Sequence, residues 1–151
     1  MARTDDLLFV ETDDSCALCG LKDTRALTIH HIEQSDPKNE NYENKIVLCH
    51  NCHQCHHQNK GASVDDLKTI KRRLIIKTLT VPGVNALKYA YRKGGVVAMP
   101  FLVNHLLELG YLRQGEAIRS DTTDDGIDVI TDALYALTDE GKELLEKWDL
   151  K

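Results

Sequence analysis

Two Cys-x-x-Cys pairs, Cys16/Cys19 and Cys49/Cys52, constrain this chain more than any other feature. Four thiolates in two tight turns can close on one tetrahedral Zn²⁺ with Zn–S bonds of about 2.3 Å. The pairs stand 29 residues apart, more than a simple zinc ribbon uses, so a folded element must lie between the two knuckles. All five cysteines and six of the seven histidines fall between Cys16 and His57, which makes that segment the chemical part of the chain. An odd cysteine count with four in pairs argues for metal over disulfides. The N-terminal MARTDDLLFVETDDS lacks the basic-then-apolar pattern of a secretory signal, so a reducing, cytoplasmic setting is expected. No run approaches the ~20 apolar residues of a membrane span. The 151 residues, 42% of them hydrophobic, suffice for one domain or two small ones.

Between the knuckles, Leu27 to Ile32 alternates as a half-buried strand, the loop EQSDPKNENYE follows, and Asn44 to Cys49 reads as a second strand. From Cys49 the stretch CHNCHQCHHQNK reads as a helix. On it His53 and His57 are four apart and share a face, so both imidazoles can serve one ion. His30 and His31, adjacent on a strand, point to opposite sides and should play different roles. His50 and His56 read as surface positions, and Cys55 as a small packing residue.

The ordered set C-x-x-C, His-His-Ile, Asn-x-Ile-Val-Leu-Cys-x-x-Cys-His and a further His four residues on resembles HNH endonucleases of the ββα-metal class with a zinc-knuckle frame. The resemblance covers about residues 14–60 and departs from many members at Gln34, where they carry proline. It implies His31 as general base, Asn44 as the middle asparagine, His30 and His53 as ligands of a catalytic divalent ion, and His57 as an additional ligand. Cys16, Cys19, Cys49 and Cys52 would hold a structural Zn²⁺. Mg²⁺ or Mn²⁺ is the expected catalytic ion, with Zn²⁺ or Ni²⁺ as further occupants because imidazole suits borderline transition ions.

After Gly61-Ala62-Ser63 the pattern turns helical. Ser63 is placed as N-cap and Asp66 as its capping-box partner, and Val64, Leu67, Ile70, Leu74, Ile75 and Leu79 form an apolar stripe over residues 64–79. A helix led by Pro82 and stopped at Gly94-Gly95 follows, then a third from Pro100 to Gly110. YLRQGEAIR, a polar turn and VITDALYALT read as a hairpin, and Thr138 caps a last helix packed through Leu144, Leu145 and Trp148. PFLVNHLLELGYL, the hairpin and LYALTDEGKELLEKW resemble the winged-helix domains of bacterial regulators. The expected fold class is therefore α+β, with an HNH unit at 1–62 and a winged helix-turn-helix-like accessory domain at 63–151.

Net charge is −5, but its distribution is uneven. Residues 1–59 carry 5 basic and 10 acidic side chains, 60–93 carry 9 and 2, and 94–151 carry 5 and 12. The basic stretch Lys68, Lys71, Arg72, Arg73 and Lys77 is the expected grip on DNA phosphates. The winged region offers only Asn104 and His105 for reading bases, with His105 read as structural. Its wing bears Asp121, Asp124, Asp125 and Asp128, which favours homodimerisation or protein docking. The expected function is metal-dependent hydrolysis of DNA phosphodiester bonds. Its rival is a non-catalytic zinc-binding regulator that docks on DNA or a partner.

Overall fold

The computed structural model describes residues 2–151, an α+β chain in two compact units, the first ending at Thr78 and the second spanning Leu79–Lys151. Among the described residues no helix is long and apolar enough to cross a membrane.

The first unit opens with α1 (Ala2–Glu11). A 3-10 turn (Thr24–Ala26) leads into β1 (Leu27–His31), a second (Tyr42–Asn44) into β2 (Lys45–Cys49), and α2 (His50–His57) follows directly. The strands pair antiparallel with His30 opposite Ile46 and His31 opposite Lys45. One face of this hairpin receives α2, while α1 rests on β2 and the second 3-10 turn. Every residue of β2 is buried, so this strand is the centre of the unit. β1 and β2 followed by α2 give the expected ββα order, whereas α1 has no counterpart in the sequence reading.

Helix α3 (Val64–Leu79) has the expected bounds and its expected cap. The Ser63 amide donates to Asp66 Oδ2 at 2.8 Å and the Asp66 amide donates to Ser63 Oγ at 3.1 Å, a reciprocal box that satisfies two otherwise orphaned donors. The division of the chain, however, falls after this helix and not before it at 62/63. Glu11, at the end of α1, is the reason. Its carboxylate receives Lys71 Nζ at 2.6 Å, Thr78 Oγ1 at 3.1 Å and the Tyr42 hydroxyl, and its carbonyl oxygen receives Lys77 Nζ at 3.1 Å. These bonds tie α3 to α1 and the loop before β2.

Lys71 is thereby withdrawn from the expected phosphate grip. Its side chain is 0% exposed, as is that of Glu11, and its ammonium lies 3.8 Å from the centroid of the Tyr42 ring. The period explains this placement: Leu67, Lys71 and Ile75 follow at intervals of four and share the buried face. Removing one partner of such a pair leaves the other charge buried and alone, which costs about 3–5 kcal/mol. Lys71→Ala should therefore lower the unfolding free energy of the first unit in urea by that amount, whereas Arg73→Ala, at an exposed position, should leave it nearly unchanged.

Burial pushes the Lys71 ammonium from 10.5 down to about 8, against the upward pull of Glu11. Between those values the unfolded chain holds the extra proton. Stability therefore rises with pH between the lower and the upper value, because there the folded chain disfavours the proton that the unfolded chain keeps. A stability difference between pH 8 and pH 10 in the native chain should shrink in Lys71→Met.

The second unit runs α4 (Val81–Lys93), β3 (Val96–Ala98), α5 (Pro100–Glu108), β4 (Leu112–Thr122), β5 (Asp128–Leu137) and α6 (Asp139–Lys147). Its sheet has the order β3-β5-β4, all antiparallel. β3 is an addition to the expected elements, and at three residues it is too short for a period-2 pattern to show. Thr138 caps α6 by accepting from the Gly141 amide at 3.0 Å. Gly141 is required there, because a Cβ would collide with the Tyr111 carbonyl oxygen. Leu144, Leu145 and Trp148 are buried as expected, and His105 Nε2 lies 2.8 Å from Leu79 O, a structural role.

Candidate functional site

The first knuckle is a turn in which the Gly20 amide donates to Cys16 O and the Cys16 amide to Leu21 O, each at 2.9 Å. Gly20 takes φ +75°, a conformation that glycine adopts without Cβ strain. The Ala17 amide donates to Val47 O at 3.0 Å and so fixes this turn to β2. Cys49 ends β2 and caps α2, its Sγ accepting from the Cys52 amide at 3.4 Å. The ligand atoms of Cys16, Cys19, Cys49 and Cys52 all lie within 4.8 Å of one another, and Cys19 Sγ is 3.7 Å from Cys49 Sγ. This group can hold a metal such as zinc. Burial pushes the Cys16 thiol up, but the amides of Cys19, Cys49 and Leu18 outweigh it and bring it down to about 7. Burial and the neighbouring thiols Cys49, Cys19 and Cys16 raise Cys52. One thiolate forms readily and its neighbours resist following, a conflict that a bound cation removes.

A second group forms from His30, His53 and His57, which bring one ligand atom each within 4.8 Å of one another. His53 Nε2 and His57 Nε2 are 3.2 Å apart. Two nitrogens bound at about 2.0–2.1 Å to one tetrahedral ion stand about 3.3 Å apart, so the pair has the spacing of co-ligands. His30 is 2% exposed and its Nε2 is a buried polar atom with no hydrogen-bond partner. Such an atom is costly unless something ligates it. Burial first, then the imidazoles of His53, His56, His57 and His31, push His30 down to about 4 and keep it neutral, as a ligand must be. Burial, then the imidazoles of His57, His56 and His50, lower His53. The orphaned nitrogen and the three-imidazole set both fit a borderline divalent ion.

His56 is not the surface residue expected. Its ring packs edge-on against His30 with centroids 4.8 Å apart, and its Nδ1 is 2.6 Å from Ala62 O. Its position three residues after His53 on α2 is the signal for this placement, since i and i+3 share a face as well as i and i+4.

His31, the next residue on β1, is half-buried, with Nε2 3.0 Å from Glu40 Oε1. Glu40 has no mark in the sequence that singles it out from the acidic loop around it. Asn44 is 1% exposed and closes that loop. Its Oδ1 accepts from the Glu33 amide at 2.9 Å, and its Nδ2 donates to Glu33 O at 3.1 Å and Asn39 O at 3.0 Å. The amide thus holds the loop's two ends and has no direct bond to His31.

Of the expected DNA-contacting residues, Lys71 is buried, Lys68 pairs with Glu33 at 2.8 Å and Lys77 serves Glu11 O. Arg72 and Arg73 are exposed. Comparison with family models, with curated proteins and with solved structures gives no match to this chain.

Proposed function

We propose that the first unit is an HNH-type, metal-dependent endonuclease that hydrolyses DNA phosphodiester bonds. The observation that carries this reading is the juxtaposition of an orphaned, buried His30 Nε2 with the His53–His57 pair, one residue along β1 from a histidine of different environment. His30, His53 and His57 would hold the divalent ion and leave coordination positions open, unlike the closed four-cysteine group. When bound there, an ion of this kind supplies charge stabilisation to a phosphoryl oxygen and to the leaving oxygen.

His31 does the proton work. A ring nitrogen takes a proton from water, the water oxygen forms the new P–O bond, and the P–O bond to the 3′ oxygen breaks with its electron pair. That oxygen then takes a proton from solvent. Asn44 keeps the loop over the end of β1 closed while this happens. The four cysteines frame the unit and take no part in the chemistry.

The DNA grip of α3 is smaller than the charge run implies, because Lys68, Lys71 and Lys77 have partners within the unit. Arg73→Ala should weaken binding to all sequences alike and lower the salt slope by about 0.9 for each phosphate that the variant no longer neutralises. A gel-shift titration in NaCl reads this. For the second unit we propose a winged-helix-like docking or dimerising role, supported by the hairpin β4–β5, whose exposed tip region carries Asp121, Asp124, Asp125 and Asp128.

Supercoiled plasmid incubated with the protein tests the reading. Nicking should appear with Mn²⁺ at least as fast as with Mg²⁺ and stop in EDTA, and His57→Ala should raise the metal concentration needed. Intact plasmid in every metal, with zinc-loaded and folded protein, would overturn it in favour of the rival binding module.

A further inference from the structure

We infer that Glu40 is a positioning residue of the proposed nuclease site, fixing His31 in the Nε2–H tautomer so that Nδ1 carries the lone pair that receives the water's proton. The inference rests on the reading of His31 as the general base. It comes from the geometry of the loop between β1 and β2.

An ionised carboxylate only accepts hydrogen bonds, so the ring nitrogen 3.0 Å from Glu40 Oε1 must carry the hydrogen. In a neutral imidazole the other nitrogen is then the base. Hydrogen bonds from Lys45 and His31 hold the Glu40 carboxyl below its ordinary value, which keeps it an acceptor.

An isolated surface pair of this kind would orient nothing, since both side chains could leave it. Here both ends are anchored. The second oxygen of Glu40 is 2.9 Å from Lys45 Nζ, and Lys45 is itself held by Asp5 at 3.2 Å with only 8% of its side chain exposed. Lys45 is the residue opposite His31 in the β1–β2 register, so the strand pairing places the carboxylate's second anchor beside the imidazole. The backbone just before Glu40 is fixed through Asn39 O, which accepts from Asn44 Nδ2, and the His31 carbonyl accepts from Gln34 Nε2 at 2.6 Å. His31, Glu40 and Lys45 therefore form a clamped row in which the ring can neither flip nor exchange tautomer freely.

Partners that orient a metal-ligating histidine through its second nitrogen are worth about 10- to 100-fold when removed, and orientation of a histidine base calls for the same order. Glu40→Ala in the full chain, with its zinc and saturating Mn²⁺, should lose kcat by that factor with KM for an oligonucleotide duplex unchanged. Glu40→Gln, which keeps an acceptor oxygen, should recover most of it. Independently of activity, long-range ¹H–¹⁵N correlation of the native, zinc-loaded protein at pH 8 should show His31 as the Nε2–H form, and a tautomer mixture in Glu40→Ala. A native His31 in the Nδ1–H form, or Glu40→Ala with native kcat, would overturn the assignment. A native chain that holds the Nε2–H tautomer but cleaves nothing would instead remove the nuclease reading and leave the clamp.

Discussion

Cys49→Ser should abolish zinc binding and unfold the first unit, while amide signals from residues 79–151 stay dispersed. The residue serves three elements at once. It is the last residue of the fully buried β2, pairs with Leu27 across the hairpin, and caps α2 through its sulfur. It is also one of four clustered thiols. Structural zinc in small domains carries about 10–16 kcal/mol of apparent binding free energy, as large as the whole stability of a typical domain, so loss of one ligand is not absorbed. Because the thiols must deprotonate to bind, chelator should strip the metal faster at pH 5.5 than at pH 8. Elemental analysis with ¹H–¹⁵N spectra checks both statements. A zinc-free Cys49→Ser protein with native dispersion throughout would contradict the frame.

His31→Ala should reduce nicking by about 10²–10⁴-fold, the usual worth of a positioned general base, with zinc content and thermal midpoint close to native. The ring is half-buried and outside the set formed by His30, His53 and His57, so its loss removes no proposed ligand. Glu40 keeps its partner Lys45 when the imidazole is gone, so no charge is stranded. Rates measured on supercoiled plasmid under single-turnover conditions separate this from a binding defect. Nicking at the native rate would remove His31 from the chemistry.

What the sequence made legible was local. The capping box at Ser63 and Asp66, the bounds of α3, the Cys-x-x-Cys turns and the His53–His57 spacing all depend on residues within one or two turns of each other. Their geometry follows from helix and turn periods alone. The features that escaped depend on partners far along the chain. Lys71 meets Glu11 across 60 positions, and a lysine four residues from Leu67 and Ile75 on the apolar stripe is buried only because α1 supplies that carboxylate. Glu40 reaches His31 only after the loop has folded over Asn44. β3 exists as a strand because β5 offers it an edge.

In the proposed nuclease one divalent ion, held by His30, His53 and His57, switches the unit on. Titrating chelator-treated, zinc-framed protein with Mn²⁺ while following bound metal by electron paramagnetic resonance and plasmid nicking in the same samples tests it most directly. Nicking should rise in proportion to occupancy of a single site, and both curves should shift together to higher Mn²⁺ in His57→Ala. Nicking that persists without bound Mn²⁺, or an occupancy curve unmoved by His57→Ala, would contradict it.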